Sequence, residues 1–435
     1  MTRCLLVVGY NNVRIYDVAK LRAIAAREHG LKLVLVTEVA QSRDSGAADV
    51  VLACPLSVET LERSLHHVQV ELIRLGLEPV GVLPFSDRGA LLGAALAQHY
   101  RLPGARVEDA KAGLDKRVLR QREREAAHQP AGYQALFSKQ VQTLEDLHTT
   151  VALLGGRAFI KPAGEGNSRG CSTIERLADC AVIWDALAIY HEDGVIVEEL
   201  VTQAREYSWD YVAGLQWITE KRTTEGEFRA EYQQIVHAPL SADAHARITA
   251  AGGHIRSLVS ELNGAYHNEV FLRENGSTSA VETNMRPGGM HIWDLAHRAF
   301  VDFDPWHEWI RWAITGDMSP SHLQPRAFSG IRMIRAPRNG VLKSYPNLEA
   351  LALHLGLSPD ETRISKKIGE RVTATPRNNA DFIGEVMLQW SDYDGLVERL
   401  AHLTREIESR IEVEPEFIGQ QPQPQPQSEE PAIAH

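Results

Sequence analysis

Cysteine is scarce in this chain, and its spacing is uninformative. Cys4, Cys54, Cys171 and Cys180 are the four in 435 residues; none forms a CxxC pair, and none stands at metal-type spacing from a histidine. This argues against a disulfide framework or a zinc ribbon as the organising device, and reduced thiols in a cytoplasmic protein are the expectation. Long apolar runs are also missing. No stretch reaches the roughly 18 residues that cross a bilayer, and the N-terminal LLVVGY is too short and lacks the cleavage site of a signal peptide. A basic surplus is absent: the net charge is −11, which argues against a general nucleic-acid binder. Two common nucleotide fingerprints are lacking as well. Gly9 follows the first apolar run without a GxGxxG pattern, and no GKS or GKT occurs, so neither a dinucleotide fold nor a P-loop is read from a motif.

What is present is an ordinary globular composition, 44% hydrophobic and 24% charged, in a chain long enough for two or three domains. The first part, residues 1–105, alternates continuous apolar strands (CLLVVGY, LKLVLVT, VGVLPF) with helical segments, the pattern of a parallel α/β sheet. Residues 106–320 mix helices with strands of both kinds. Residues 325–417 read as a small α+β unit: short strands (GIRMIRAP, GVLKSY, VTATP, IGEVMLQW) and a closing helix. From 418 the chain is Pro/Gln-rich and is expected to be a disordered tail. No internal repeat is visible.

The most telling stretch is HNEVFLRENGSTSAVETNMRPGG, His267 to Gly289. Two strand-like runs flank Asn275-Gly276, a strong hairpin signal. A two-residue loop pairs positions whose numbers sum to 551, so Glu269 and Glu282 become cross-strand partners (269 + 282 = 551). Alternation puts His267, Asn284 and Arg286 on the same face. Like charges directly opposite are destabilising; a divalent cation held by oxygen ligands, Mg²⁺ or Mn²⁺, resolves the conflict, and Mg²⁺ usually arrives with phosphates. The competing reading is a solvated hairpin with its glutamates in water.

Three further segments carry weaker signals. In AFIKPAGEGNSRGCSTI a strand ends in Lys161 and a loop follows with Gly164, Gly166, Ser168 and Gly170. Glycines let backbone N–H groups approach phosphate oxygens, and a loop between two strands can move as a flap or be an ordinary surface loop. In VIVEELVTQAREYSWD a strand runs into Glu198, Glu199 and Val201, and Glu206 begins another; extended backbone suits an adenine edge and a carboxylate suits ribose hydroxyls. Lys116 opens a helix in GLDKRVLRQRER, where a lysine is ordinarily solvated.

The order of these pieces resembles the ATP-grasp superfamily over about residues 108–317, and HNEVFL…VETNMRPGG, with its thirteen-residue carboxylate spacing (282 − 269), resembles its carboxylate–amine ligases, most of all the L-amino acid ligases (dipeptide synthetases). The resemblance implies an α/β ATP-grasp fold: an N-terminal parallel α/β domain, a flap subdomain near 130–200, an antiparallel central sheet and a small C-terminal α+β unit. It further implies that Lys116 and Lys161 contact ATP phosphates beneath a flap containing Gly164, Gly166 and Ser168. By the same resemblance, Glu198, Glu199 and Val201 belong to the adenine strand, Glu206 binds ribose and Lys221 adds a phosphate contact. Glu269, Glu282 and Asn284 hold magnesium, and Arg286, with Lys161 and Glu282, serves catalysis by stabilising the acyl phosphate or the tetrahedral intermediate. His267, two residues before Glu269, is a shared feature of the L-amino acid ligases.

On this reading the substrates are a small-molecule carboxylate and an amine, amino acids by resemblance, joined at the cost of ATP. Ser86, His267, Gly288, Gly289 and His291 would line the substrate end, with Asp87, Met290, Trp293 and Asp294 nearby. Plainer readings stay open: Ser86-Asp87 as the N-cap of GALLGAALAQ, and His291 and Trp293 as packing. Phe85-Ser86-Asp87-Arg88 departs from the Thr/Asn-rich context of many relatives, which leaves substrate class open. Rival readings are a biotin carboxylase-like or purine-biosynthesis-type enzyme of the same fold, and a non-catalytic nucleotide-binding protein. A homodimer is the assembly the resemblance suggests.

Overall fold

A computed structural model describes residues 1–10, 14–166, 169–225, 229–320 and 322–415. Ser168 and the Pro/Gln-rich tail lie outside the described residues. Among the described residues no helix is long and apolar enough to cross a membrane.

Strands β1 (Thr2–Val8), β2 (Lys32–Thr37), β3 (Val50–Ala53) and β4 (Leu77–Pro84) form a parallel sheet in the order β3-β2-β1-β4. A parallel sheet needs apolar cover on both faces, and β1 shows how its unbroken hydrophobic run supplies it. Leu5 and Val7 join a core with Leu21 of the helix Ile15–His29 and Trp309 of the helix Pro305–Thr315. Cys4, Leu6 and Val8 join a different core, with Leu72 of the helix Leu61–Arg74 and Leu92 of the helix Gly89–Tyr100.

A second, antiparallel sheet contains β5 (Ser138–Val141), β6 (Ala158–Pro162), β7 (Ser172–Ile174) and β8 (Val195–Glu198), ordered β5-β8-β6-β7. Ile160, Ile174, Val195 and Val197 pack with Leu147, Val151 and Cys180 of the helices Leu144–Leu153 and Cys180–Ala186. Alternation leaves Phe159, Lys161, Thr173 and Glu198 for the opposite face, which lines a cleft.

The floor of that cleft is the central sheet. Its first five strands are β9 (Ala204–Val212), β10 (Leu215–Thr223), β11 (Glu231–Val236), β12 (Ala265–Arg273) and β13 (Thr278–Asn284). The C-terminal strands, β14 (Phe328–Ile334), β15 (Gly340–Ser344), β16 (Glu361–Ile364), β17 (Arg371–Val372), β18 (Gly384–Trp390) and β19 (Glu412–Glu414), divide between two sheets. β14, β16 and β18 extend the central sheet to β13-β12-β9-β10-β11-β14-β18-β16, while β17-β15-β19 form a separate three-stranded sheet. Strand β9 is two-faced. Tyr207, Trp209 and Tyr211 pack with Ile248, Ala251 and Ile255 of the helix Ala242–Val259; Glu206, Ser208 and Asp210 face the other way, on the side of the cleft.

The hairpin β12–β13 reaches the expected pairing by an unexpected route. The turn has three residues, Glu274-Asn275-Gly276, because Arg273 N–H donates to Ser277 O at 2.9 Å and Gly276 N–H to Arg273 O at 2.8 Å. Gly276 has φ +81°, the left-handed residue that ends such a loop. Pairs next to the turn therefore sum to 550, as in Leu272↔Thr278 and Val270↔Ala280. A bulge then inserts Val281, and beyond it Glu269↔Glu282 and His267↔Asn284 sum to 551. The bulge frees carbonyls from the ladder: the Arg120 guanidinium donates to Ala280 O and Val281 O, each at 3.0 Å.

Arg120 is 2% exposed, and it also donates to Glu198 Oε1 at 2.7 Å and Glu123 Oε2 at 2.6 Å. Arg120→Met would take a buried cation from two bulge carbonyls and two buried carboxylates, leaving Glu198 and Val281 O to Lys161 and Glu123 to the Tyr133 hydroxyl. We expect a loss of about 3 kcal/mol or more, measured by denaturant unfolding; a loss below about 1 kcal/mol would show that the brace is dispensable.

Candidate active site

The cleft between the second sheet and the central sheet encloses a cavity of about 200 Å³. Lys161 enters from β6 and is 3% exposed. Its Nζ lies 2.7 Å from Glu198 Oε2 and donates to Val281 O at 3.4 Å. Glu198, between Lys161 and Arg120, is pushed up by burial but held down more strongly by those two cations, at about 2, so it is a carboxylate that anchors the lysine. Lys116 begins the helix Lys116–Glu125, with Asp115 as its cap. Its Nζ donates to Glu165 O at 2.5 Å and lies 3.2 Å from Glu282 Oε2. Burial lowers its pKa, but Glu282 and other neighbours raise it overall.

The flap residues Gly164 and Gly166 border a smaller recess together with Lys116, Glu282 and Asn284. Gly170, at φ +68°, has no room for a side chain: a Cβ would stand 2.7 Å from the Tyr190 ring and 2.8 Å from Pro162 Cγ. Along the strand end that leaves β8, Glu199, Leu200 and Val201 line the cavity. Glu199 is tied to Phe137, its N–H donating to Phe137 O and its Oε1 accepting from Phe137 N–H, both at 3.2 Å.

The floor carries the charge. The Lys221 side chain is wholly buried and pairs with Glu206 at 2.8 Å, with Glu269 at 2.5 Å and with Glu231. Three carboxylates around one ammonium are not balanced. Burial, opposed by Lys221 and reinforced by Glu269 and Glu231, lifts Glu206 to about 7. Glu269 moves the other way: burial raises it, but Lys221 and His267 pull it well below the usual carboxylate range. Opposite it, Glu282 Oε1 accepts from Asn284 Nδ2 at 3.2 Å. The oxygens of Glu269, Glu282 and Asn284 are the hard donors that suit magnesium.

At the far end Arg286 is clamped by Asp87, with both carboxylate oxygens at 2.9 Å, and it donates to Asn284 Oδ1 at 3.3 Å. Asp87 leaves the N-terminal sheet just after β4, so this bidentate pair ties that sheet to the hairpin. His267 sits between Asp210 Oδ1 at 2.7 Å and Glu269 Oε1 at 3.3 Å. Gly289 and Met290 line the cavity beside Arg286. Gly288 packs under His267, where a Cβ would come within 2.8 Å of Nδ1.

Two expected substrate residues lie behind the cavity wall. Ser86 is buried, and its Oγ accepts from Gly89 N–H at 3.2 Å, a helix-start contact. His291 stacks on Tyr16 with ring centres 4.9 Å apart and bonds Asp294 at 2.9 Å and Glu385 at 3.3 Å. Burial lowers its pKa, but the two carboxylates raise it to about 9.

Several cleft residues were not anticipated. Arg120 stands four residues after Lys116, on the same helix face, and that spacing was available in the sequence. Asp210 follows Glu206 at strand period two, which was also available. Cys171 closes the flap segment, whereas Glu231, Arg14, Asn378 and Asn379 come from segments without a motif, and only the fold brings them to the cavity.

For His267, burial lowers the pKa, but the bonds to Asp210 and Glu269 raise it to about 9. A basic group raised in the folded state stabilises fully below its unfolded value near 6.5; that stabilisation, about 3 kcal/mol here, is lost as pH rises through 9. An NMR titration of the imidazole should give a midpoint near 9 and should fall toward or below 6.5 in Asp210→Asn. A wild-type midpoint near 6.5 would remove the charge assignment.

No family model and no curated protein matches the sequence. Solved structures do. The L-amino acid ligase from Bacillus licheniformis superposes with a TM-score of 0.75 at 16% identity, covering 95% of this chain and 99% of that one. The phosphoribosylglycinamide synthetase from Anaerococcus prevotii gives 0.65 at 15% identity, with 95% and 99% covered. The biotin carboxylase from Campylobacter jejuni gives 0.62 at 14%, with 94% and 92% covered. At these identities the likeness establishes the fold, and the fold of this chain is ATP-grasp.

Proposed function

We propose that this protein is an ATP-dependent carboxylate–amine ligase that uses magnesium and joins amino acids. One observation carries the reading: Glu269, Glu282 and Asn284 share one face of the β12–β13 hairpin, with Lys116 at 3.2 Å from Glu282 and Arg286 at 3.3 Å from Asn284. That set provides oxygen donors for a cation, a lysine for phosphates and a guanidinium for a developing oxyanion, at the cavity and the recess that adjoins it through Lys116 and Glu282. Similarity to an L-amino acid ligase over nearly the whole chain supports the amino-acid class.

In this reading ATP lies with its adenine along Glu199–Val201, its ribose near Glu206 and its phosphates toward Lys116 and Lys161 beneath the flap loop. Glu269, Glu282 and Asn284 would hold magnesium, which would supply neutralisation of the phosphate charge. Lys161 is preset by Glu198, and Lys116 has a carboxylate to exchange for a phosphate oxygen. A substrate carboxylate oxygen attacks the γ-phosphorus, and ADP leaves. The amine nitrogen then attacks the carbonyl carbon of the acyl phosphate, phosphate departs and the amine loses a proton. Arg286, fixed by Asp87, is suited to stabilise the tetrahedral oxyanion because its orientation is set before the charge develops. A closed flap keeps water from the acyl phosphate.

A phosphate-release screen over pairs of amino acids should show ATP turnover that needs both partners. Turnover stimulated by bicarbonate and biotin, with none from amino acids, would overturn the substrate class. Glu282→Gln should lose at least about a hundredfold in turnover with an unchanged unfolding transition; wild-type turnover in that variant would sink the metal assignment.

A further inference from the structure

Away from the cleft, the helix Ile15–His29 ends beside the start of the helix Pro305–Thr315. Glu28, His29 and His307 meet there, each offering a ligand atom within 4.8 Å of the others. His307 Nε2 is 2.9 Å from Glu28 Oε2, and the two imidazole rings stack at 6.1 Å with 19° between their planes. His29 Nε2 is buried and has no hydrogen-bond partner. A buried ring nitrogen without a partner is uncommon and calls for a reason.

We infer that Glu28, His29 and His307 form a binding site for a borderline divalent transition-metal ion such as zinc, separate from the proposed magnesium site. Two imidazole nitrogens and one carboxylate oxygen match zinc and its neighbours, whereas magnesium takes oxygen alone. Zinc–ligand bonds of about 2.0–2.2 Å put tetrahedral ligand atoms roughly 3.4 Å apart. Atoms that start within 4.8 Å of one another therefore have to draw in by up to about 1.4 Å, which side-chain rotation supplies where Glu28 is exposed and the two histidines are part-exposed. His29 closes its helix, the end whose free carbonyls favour a cation. Glu308 Oε1 lies 3.8 Å from His307 Nδ1 and is held by Arg311, so a carboxylate stands behind the histidine as outer partners of zinc ligands commonly do. The ion would clamp the helix Ile15–His29 of the N-terminal domain to the helix Pro305–Thr315.

The test is calorimetric titration of the metal-stripped full-length protein with zinc chloride. One site is expected, undisturbed by a hundredfold excess of magnesium. His29→Ala and His307→Ala should each weaken it by more than about tenfold, the loss that even an outer-shell partner causes, with melting temperatures in the absence of metal close to wild type. Glu28→Gln, which keeps the shape, should also weaken it, and Co²⁺ at the site should show the visible bands of a low-coordinate imidazole complex. Absence of zinc binding, competition by magnesium, or unchanged affinity in the double variant His29→Ala/His307→Ala would each overturn the site.

Discussion

The buried ammonium of Lys221 among Glu206, Glu231 and Glu269 sets the electrical character of the cleft. One positive charge against three carboxylates leaves a negative excess in a place where water screens poorly. The protein meets part of that excess by lifting Glu206 to about 7, so that the group carries a proton part of the time near neutrality. It meets another part through His267, whose charge is secured by Asp210, itself satisfied by Ser208 and Thr219 hydroxyls at 2.7 and 2.8 Å. What remains is a standing affinity for cations on the floor of the cavity. In the proposed reaction that affinity would favour magnesium, and Lys116, paired with Glu282, is the lysine free to turn toward phosphate while Lys221 stays with its three carboxylates.

Two arginines keep this floor in register with the layers around it. Arg120 takes the carbonyls freed by the bulge and a carboxylate from β8, so the second sheet and the hairpin share one buried cation. Arg286 is clamped by Asp87 at the end of the N-terminal sheet. Each arginine makes bonds in a fixed fork that a lysine has no means to reproduce. The cleft is thus assembled by bonds between layers, and its geometry depends on contacts between residues far apart in the chain.

That dependence explains what the sequence disclosed. Alternating strands with a continuous apolar face, the Asn275-Gly276 turn and the carboxylate pair are local, and local patterns can be read in one dimension. The Glu269–Glu282 pairing emerged from a two-residue loop that the structure replaces by a three-residue loop and a compensating bulge: two departures of one residue cancel. The bulge itself has no local signature, since it exists to offer carbonyls to Arg120. Glu198 was legible as acidic, but its task of holding Lys161 requires Arg120 behind it. Asn378 and Asn379 reach the cavity from the C-terminal region through the joint central sheet, a relation that no spacing encodes.

The substrate end resists reading for the same physical reason. Met290 and His291 both adopt left-handed backbone, φ 46° and 57°, which costs of order 1–3 kcal/mol at each non-glycine residue. The conformation persists because His291 is pinned from three sides by Tyr16, Asp294 and Glu385, and this pinning turns Met290 into the cavity, where its sulfur meets Asn379 at 3.2 Å. His291 therefore acts on the cavity through its neighbour's orientation. A histidine in sequence suggests a ligand contact; here its charge, lifted by two carboxylates, is spent on holding a turn. Side chains that determine shape in this manner leave their trace in backbone angles, and those become visible only when all the elements that pin the turn are in place.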